Sequence, residues 1–324
     1  MLRVYASHTS CGGLSHIRRK APVPRLRRWM SVRPEQQHKT PDARKKVTIA
    51  ELQKMRDAGT PISMLTTYDY PSARALSANP QIDIAFVGDS LAQVCLGHTS
   101  TTELTLDEMI HHTRAVRRGT KHPLLLADMP FGSYNVSAED TLRNAVRLVQ
   151  QGGAEAVKME GGVELAGVVR RLGTIGIPVM AHIGLMPQRC NASGFRVQGR
   201  DAESARGVLA DALALEDAGA FAVVLEAIPH KLGEYITNRL RIPTIGIGAG
   251  NMTSGQVLVW DDMMGTWAGH KAKFVRRFAD VKTERDAGVQ RYAAAVRDRS
   301  FPSATESYAM DDAEWNKFLR HEEK

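Results

Sequence analysis

Short apolar runs alternate with longer amphipathic segments over most of the chain. The runs have the length and the continuous hydrophobicity of parallel strands that are buried on both faces. They occupy residues 62–69, 84–89, 124–128, 156–160, 178–185, 221–226, 243–248 and 256–260, and the last is the weakest. The segments between them carry apolar residues at helical spacing, as Leu142, Val146 and Val149 do. Eight strands alternating with helices predict a parallel (β/α)8 barrel, the TIM-barrel fold, rather than an open sheet.

Three segments lie outside this alternation. Residues 47–58 predict an N-terminal helix before the barrel, and residues 274–296 predict helical structure after it. The last stretch is charged and carries aromatic residues, and its sequence does not decide between a docking helix and a frayed end. We therefore predict a basic leader over residues 1–40, a catalytic (β/α)8 domain over 41–308 and a charged C-terminal tail over 309–324.

The positive charge of the chain is concentrated in the leader. The formal net charge is +8, from 43 Lys and Arg against 35 Asp and Glu. Residues 1–34 hold eight of the basic residues and no acidic one, which leaves 35 residues of each sign in the remainder. A leader rich in Arg, Ser and Pro without an apolar core excludes a secretory signal and is typical of a mitochondrial transit peptide. We expect a mitochondrial matrix protein without a nucleic-acid partner; a disordered basic tail is the alternative.

The overall composition excludes several other classes of protein. The hydrophobic fraction is 43% and the charged fraction is 24%, both ordinary for a globular chain. No apolar run approaches the roughly 20 residues that cross a bilayer, so no membrane partner is expected. Cys11, Cys95 and Cys190 are far apart and form no Cys-x-x-Cys pair, which argues against a zinc site or a redox pair.

Four of the apolar runs end on a carboxylate. Asp89, Asp128, Glu160 and Glu226 close the second, third, fourth and sixth predicted strands. The carboxyl ends of parallel strands meet at one face of a barrel, where ligands bind. The first three acids would be neighbours there, and hard oxygen ligands suit Mg²⁺, which keeps several of its waters. We expect two direct metal ligands and one acting through water. The alternative is a carboxylate cluster without a metal, but three converging acids without a cation would repel one another strongly.

Polar residues beside these acids predict anion binding and proton transfer. Lys158 lies two residues before Glu160, so both side chains should face the barrel interior. Lys158 could pair with a substrate carboxylate or form a Schiff base, and a neighbouring metal favours pairing. Ser90 could donate a hydrogen bond to the same anion. Glu226, farther around the rim, is placed to act as a general base, with a salt-bridged rim acid as the alternative.

The glycine-rich loop at residues 246–251 leaves a second interpretation open. A loop of this kind after the seventh strand binds phosphate in many barrels, which would indicate a metal-dependent enzyme with a phosphorylated substrate. Against this, Asp261 and Asp262 follow the eighth strand and would repel phosphate. A flat cyclic or amide group could equally need the clearance that glycine gives.

A series of short motifs follows along the chain in unbroken order. The motifs are AFVGDS at 85–90, GHTST at 97–101, LADMP at 126–130, VKMEGG at 157–162, HIGLMPQ at 182–188, VQGR at 197–200, LE at 225–226 and IGIGAGN at 245–251. With these motifs, residues 47–308 resemble the ketopantoate hydroxymethyltransferase family. Departures lie at residues 192–196, where the family has a more glycine-rich loop bearing Tyr and Lys, and at Trp260 and Asp261.

The resemblance implies a chemistry as well as a fold. It implies a barrel of the phosphoenolpyruvate/pyruvate type, dependence on Mg²⁺, and a homo-oligomer, decameric in known members. The implied reaction moves a hydroxymethyl group from 5,10-methylenetetrahydrofolate to 3-methyl-2-oxobutanoate and gives 2-dehydropantoate, the first committed step of pantothenate and coenzyme A biosynthesis. By motif, the metal positions are Asp89, Asp128 and Glu160, the oxo-acid contacts are Asp89, Ser90, Asp128 and Lys158, and the base is Glu226.

Two other functions stay open at this point. A Mg²⁺-dependent barrel lyase or mutase, acting on a 2-oxo acid or a phosphorylated substrate, would share the metal but would need no folate. A non-catalytic binding scaffold would not need carboxylates at four strand ends.

Overall fold

Eight parallel strands close into a barrel, each hydrogen-bonded to the next and the eighth to the first. The structure is a computed structural model that describes residues 44–190, 194–266, 269 and 271–322. The strands are β1 Ile62–Thr66, β2 Ile84–Val87, β3 Leu124–Asp128, β4 Ala156–Glu160, β5 Val179–Gly184, β6 Ala222–Glu226, β7 Thr244–Ile247 and β8 Gly255–Leu258. The predicted (β/α)8 barrel is confirmed. The leader predicted at residues 1–40 lies outside the described residues.

Helices connect the strands and extend beyond them. They are α1 Ile49–Asp57, α2 Tyr70–Ala78, α3 Leu91–Val94, α4 Leu106–Gly119, α5 Ala138–Arg147, α6 Ala166–Thr174, α7 Ala202–Asp217, α8 His230–Arg239, α9 Trp260–Met264, α10 Val281–Arg297 and α11 Asp312–Glu322. Local sequence explains their starts. Thr105 and Glu108 form a reciprocal capping box at α4, and Asp201 caps α7 through the backbone N–H groups of Glu203 and Ser204.

Two apolar layers hold the barrel together. The inner layer fills the barrel with strand side chains, among them Met64, Phe86 and Met180. Val47, two residues before α1, and Leu52 within it belong to this same cluster, so α1 covers the amino-terminal end of the barrel. The outer layer packs the strands against the surrounding helices. Because apolar groups occupy the amino-terminal end, the polar strand ends define the opposite end of the barrel.

Several predicted boundaries differ from the structure, and two of the differences have a clear physical cause. The eighth strand ends at Leu258 rather than at Trp260, because Trp260 begins α9 and its backbone N–H donates to Thr66 Oγ1 at 2.7 Å. The helix predicted from residue 274 begins only at Val281, where the Asp280 side chain caps it. The residues before Asp280 instead form a segment that reaches the open end of the barrel.

The C-terminal segment is helical but lies on the outside. Residues Arg44–Lys324 form one packed unit, and neither α10 nor α11 contributes a buried residue to it. Among the helices that the structure describes, none combines the length and the hydrophobicity that crossing a membrane requires.

Candidate active site

The carboxyl ends of β2 to β6 bring the predicted polar residues together. Asp89 follows β2, Asp128 ends β3, Lys158 and Glu160 lie on β4, and Glu226 ends β6. All of them line one cavity of about 880 Å³ at the open end of the barrel. The first four are at most 6% exposed, so their charges interact with little screening by water.

Asp128 and Lys158 form a buried ion pair at the floor of the cavity. Lys158 Nζ lies 2.7 Å from Asp128 Oδ1, and the Asp89 backbone N–H donates to Asp128 Oδ2 at 2.9 Å. Burial alone would lower the pKa of Lys158, but the charges of Asp128, Glu160 and Asp89 outweigh it and raise the pKa instead. The Lys158 amine therefore stays protonated. This favours charge pairing over Schiff-base formation, because an ammonium group is not nucleophilic.

Gln188, which sequence reasoning gave no role, links two of the carboxylates. Its side-chain Nε2 donates to Asp89 Oδ2 at 2.8 Å, and its backbone N–H donates to Glu160 Oε2 at 3.0 Å. Tyr134 in turn donates its hydroxyl to Gln188 Oε1 at 2.6 Å. Burial, with repulsion from Asp128 and Glu160, raises the pKa of Asp89 well above its ordinary value. The only sequence signal for Gln188 is its place at the end of the HIGLMPQ motif.

His182, on β5, connects the two glutamates of the site. Its Nε2 lies 3.1 Å from Glu226 Oε2, and its Nδ1 lies 3.5 Å from Glu160 Oε1 and 3.1 Å from Lys158 Nζ. Burial and the Lys158 charge would lower the pKa of His182, but contacts with Glu160 and Glu226 outweigh them and raise it to about 9. In the sequence, a histidine inside an otherwise apolar strand is the signal that could have identified His182 as a site residue.

A chain of hydroxyl groups orients Ser90. The Trp260 backbone N–H donates to Thr66 Oγ1, and Thr66 Oγ1 donates to the Tyr68 hydroxyl at 2.7 Å. Because the Tyr68 hydroxyl oxygen accepts the hydrogen bond from Thr66, its hydrogen can be donated to Ser90 Oγ, 2.8 Å away. Burial raises the pKa of Tyr68, so the phenol keeps its proton. The Ser90 hydroxyl hydrogen is then free to point at an anion in the cavity.

The oxygen donors at the floor fit Mg²⁺ in type. Among the described residues, no group of three or more His, Cys, Asp or Glu side chains is arranged to hold a metal by itself. Mg²⁺ does not require such a group, because it commonly takes one or two carboxylates and completes its shell with water and substrate. Buried Asp128 Oδ1 meets no aligned hydrogen-bond donor in the described structure apart from its ion pair with Lys158. Beside the Lys158 ammonium, this oxygen keeps a lone pair that could bind a metal cation.

Packing accounts for the glycines of the loop after β7. Gly248 has φ +69°, and a Cβ there would lie 2.7 Å from the Phe274 ring. Gly250 has φ +85°, and a Cβ there would lie 2.5 Å from His230. Both glycines are needed for conformation and clearance without any phosphate, which removes the main sequence argument for a phosphorylated substrate.

Two bacterial proteins are similar to this chain over nearly their whole length. The 3-methyl-2-oxobutanoate hydroxymethyltransferase of Chloroflexus aurantiacus is 50% identical over 269 residues, covering 83% of this chain and 95% of that protein. The protein of the same name from Bacillus thuringiensis is 47% identical over 268 residues, covering 82% and 96%. The predictions of an enzyme, and of a hydroxymethyltransferase, are confirmed.

These relatives correct the predicted location. They are bacterial proteins, and bacteria have no mitochondria. The prediction of a mitochondrial matrix location is therefore contradicted, and the predicted transit peptide has no support from these relatives. Both predictions rested on the composition of residues 1–40 alone.

A solved structure supports the barrel type. The phosphoenolpyruvate phosphomutase of Streptomyces platensis subsp. rosaceus superposes with a TM-score of 0.52 at 16% identity, covering 85% of this chain and 96% of that one. At this identity the likeness concerns the fold alone. The likeness agrees with the closed eight-stranded parallel barrel of this chain.

One family accounts for both the barrel and the sequence similarity. The family model of ketopantoate hydroxymethyltransferase matches residues 46–304, nearly the span of the motif resemblance. The chain belongs to the ketopantoate hydroxymethyltransferase family.

Proposed function

We propose that the chain transfers a hydroxymethyl group from 5,10-methylenetetrahydrofolate to 3-methyl-2-oxobutanoate, giving 2-dehydropantoate for pantothenate biosynthesis. One observation carries the chemistry: a carboxylate, Glu226, shares a cavity with a buried cation and a carboxylate cluster. That arrangement can bind a 2-oxo acid and remove a proton from it. The names of the two bacterial relatives support the choice of substrate.

Asp89, Asp128 and Glu160 would hold Mg²⁺, two of them directly and one through water. When bound, the ion would draw electron density from the keto group of the substrate and acidify the adjacent C–H. Lys158 keeps the site from becoming excessively anionic before the oxo acid arrives, because its ammonium group already neutralises Asp128.

Lys158 and Ser90 would anchor the carboxylate of the oxo acid. Lys158 supplies a fixed positive charge, and Ser90 supplies the hydroxyl hydrogen that the Tyr68 chain leaves free. Two anchors on one carboxylate restrict its rotation, so the C3–H bond is presented to one side of the cavity. Fixing this orientation before reaction lowers the entropic part of the barrier.

Glu226 would remove the C3 proton. Its carboxylate ends β6 and is held at Oε2 by His182, which leaves the other oxygen for the substrate. The electron pair of the broken C–H bond becomes the enolate. Water supplies the hydroxyl oxygen by adding to the methylene bridge as the first C–N bond of the folate opens, and the freed nitrogen takes a proton of that water. The enolate C3 carbon then bonds to this carbon as the second C–N bond breaks. Glu226, protonated in the first step, is available to return its proton to the folate nitrogen that leaves.

We also propose that the chain works as a homo-oligomer, a decamer by family resemblance. The outer helices expose large apolar side chains, among them Tyr292 on α10 and Trp315 and Phe318 on α11, at 61%, 48% and 46% exposure. Light scattering at several protein concentrations measures the assembly, and a monomer at micromolar concentration would contradict this proposal.

A turnover assay tests the proposed function directly. We expect 2-dehydropantoate to form only when 3-methyl-2-oxobutanoate and methylenetetrahydrofolate are both present, and we expect excess chelator to lower the rate at least tenfold, with recovery on adding Mg²⁺. Mass spectrometry follows the product. Product formed from an oxo acid without folate would contradict the proposal and favour the lyase or mutase.

Gln188→Ala is expected to weaken Mg²⁺ binding without unfolding the barrel. Loss of its amide frees Asp89 and leaves the Tyr134 hydroxyl only its longer contact with the Glu160 carbonyl oxygen, at 3.3 Å. Groups that orient metal ligands typically contribute roughly 10- to 100-fold in affinity. Isothermal titration with Mg²⁺ measures the change. Gln53→Ala on α1, a half-buried glutamine at the other end of the barrel, is the control and should leave the affinity unchanged. Equal affinities in both variants would exclude a positioning role for Gln188.

A further inference from the structure

The cavity is larger than a small branched oxo acid requires. Its volume is about 880 Å³, within the range of roughly 300–1,000 Å³ that accommodates drug-sized ligands. The groups assigned to the oxo acid, Lys158, Ser90 and Glu226, occupy the strand ends at the floor. The loops that form the upper wall are therefore available for a second and larger molecule.

Two positively charged side chains line this upper wall. Arg196 lies in the loop after β5, and Lys273 lies in the segment between α9 and α10; both line the cavity and both are exposed. Neither forms an ion pair with any acid that the structure describes, so their charges are not neutralised locally. Asp262 also lines the cavity; burial and the neighbouring Asp261 charge raise the pKa of its carboxyl, and the nearby Arg277 counters only part of this shift. The upper wall is thus suited to an anion, whereas the floor is rich in carboxylates.

Each cation is adjacent in sequence to an aromatic ring that also lines the cavity. Phe195 precedes Arg196 and is 75% exposed, and Phe274 follows Lys273. Phe274 is fixed in place by contact with the loop after β7, since a side chain at Gly248 would collide with its ring. An exposed phenylalanine beside a cavity gains from a flat partner, because aromatic rings bury a large area and stack at little entropic cost.

We propose that the pairs Phe195–Arg196 and Lys273–Phe274 bind the tail of the tetrahydrofolate cosubstrate. The rings would pack against the p-aminobenzoyl group, and the two cations would bind the glutamyl carboxylates. This inference rests on the proposed function. The direction of the cosubstrate follows from its chemistry, because the transferred carbon is carried at the pterin end and must reach the enolate at the floor. The anionic end must then point toward the upper wall.

The double variant Arg196→Ala/Lys273→Ala tests the proposal. We expect KM for methylenetetrahydrofolate to rise at least tenfold, with kcat changed less than twofold, because the cations touch only the non-reacting end. The rise should be larger for a polyglutamylated cosubstrate than for the monoglutamate, and higher salt should shrink it. Lys54→Ala on α1 is the matched control for loss of a surface cation, and its KM should stay unchanged.

Two further measurements separate this proposal from the function on which it rests. Exchange of the C3 proton of 3-methyl-2-oxobutanoate into deuterated water needs no folate, so it should be unchanged in the double variant. Equilibrium binding of tetrahydrofolate itself, followed by protein fluorescence, needs no turnover and should weaken at least tenfold. Unchanged tetrahydrofolate binding in the double variant would overturn the assignment of the tail site. Absence of exchange and of folate-dependent turnover in the unmodified protein would instead overturn the proposed function.

Discussion

Glu226→Gln is expected to abolish C3 proton exchange of 3-methyl-2-oxobutanoate and, with it, turnover. The amide keeps the size of the side chain but cannot take up a proton, and a positioned base typically contributes roughly 10²- to 10⁴-fold. A loss of that size in both the exchange rate and kcat is expected. Proton NMR of the oxo acid in deuterated water measures exchange without any folate, which isolates the first chemical step.

Binding must survive in this variant for the result to identify a base. Glu226 is not among the groups assigned to the metal or to the oxo-acid carboxylate, so affinities for Mg²⁺ and for the oxo acid should change less than about threefold. Glu203→Gln, an exposed acid in the first turn of α7, is the control and should exchange normally. Normal exchange by Glu226→Gln would remove Glu226 as the base.

Lys158→Met is expected to lower the free energy of unfolding by about 3–5 kcal/mol, the usual cost of removing one partner from a buried ion pair. The variant leaves Asp128 without its counter-charge beside Asp89 and Glu160, which already repel one another. Oxo-acid binding should be lost as well, since the anchoring cation is gone. Urea denaturation in the absence of Mg²⁺ measures stability, and calorimetry measures binding.

A second lysine provides the matched control. Lys46 pairs with Glu155 at 2.7 Å, but both side chains are about one third exposed, so Lys46→Met should cost only about 0–1 kcal/mol. The double variant Lys158→Met/Asp128→Asn should regain part of the stability, because the uncompensated charge is removed. If Lys158→Met cost no more than Lys46→Met, the buried pair would not have the role assigned to it.

The strands and their polar ends could be predicted because they depend on local patterns. A strand buried on both faces must be apolar along its whole length, so β3 appears at residues 124–128 in the sequence and in the structure alike. A period of two placed Lys158 and Glu160 on one face, and both contact His182. Parallel closure then brings the strand ends together, because β1 pairs with β8.

The supporting groups could not be predicted, because their contacts join residues far apart in the chain. Gln188 meets Asp89 across 99 positions, and no spacing rule connects them. The start of α10 shows the same limit. Helical spacing in the sequence begins at Phe274, but the Phe274 ring packs at the open end of the barrel. The helix therefore begins only at Val281, after the Asp280 cap. Competition between a local helical preference and a tertiary contact is decided only when both partners are present.

The sequence by itself determined the barrel, the family and the set of charged groups at the strand ends. These follow from hydrophobic periodicity and from residue types that a Mg²⁺ and oxo-acid chemistry needs. Only the tertiary structure decided the protonation and orientation of those groups. Lys158 is protonated because its pKa is raised, Asp89 also has a raised pKa, and His182 connects Glu160 with Glu226. The physical reason is that the Coulomb energy of two charges depends on their distance and burial. Both are set by which strands are neighbours in the closed barrel.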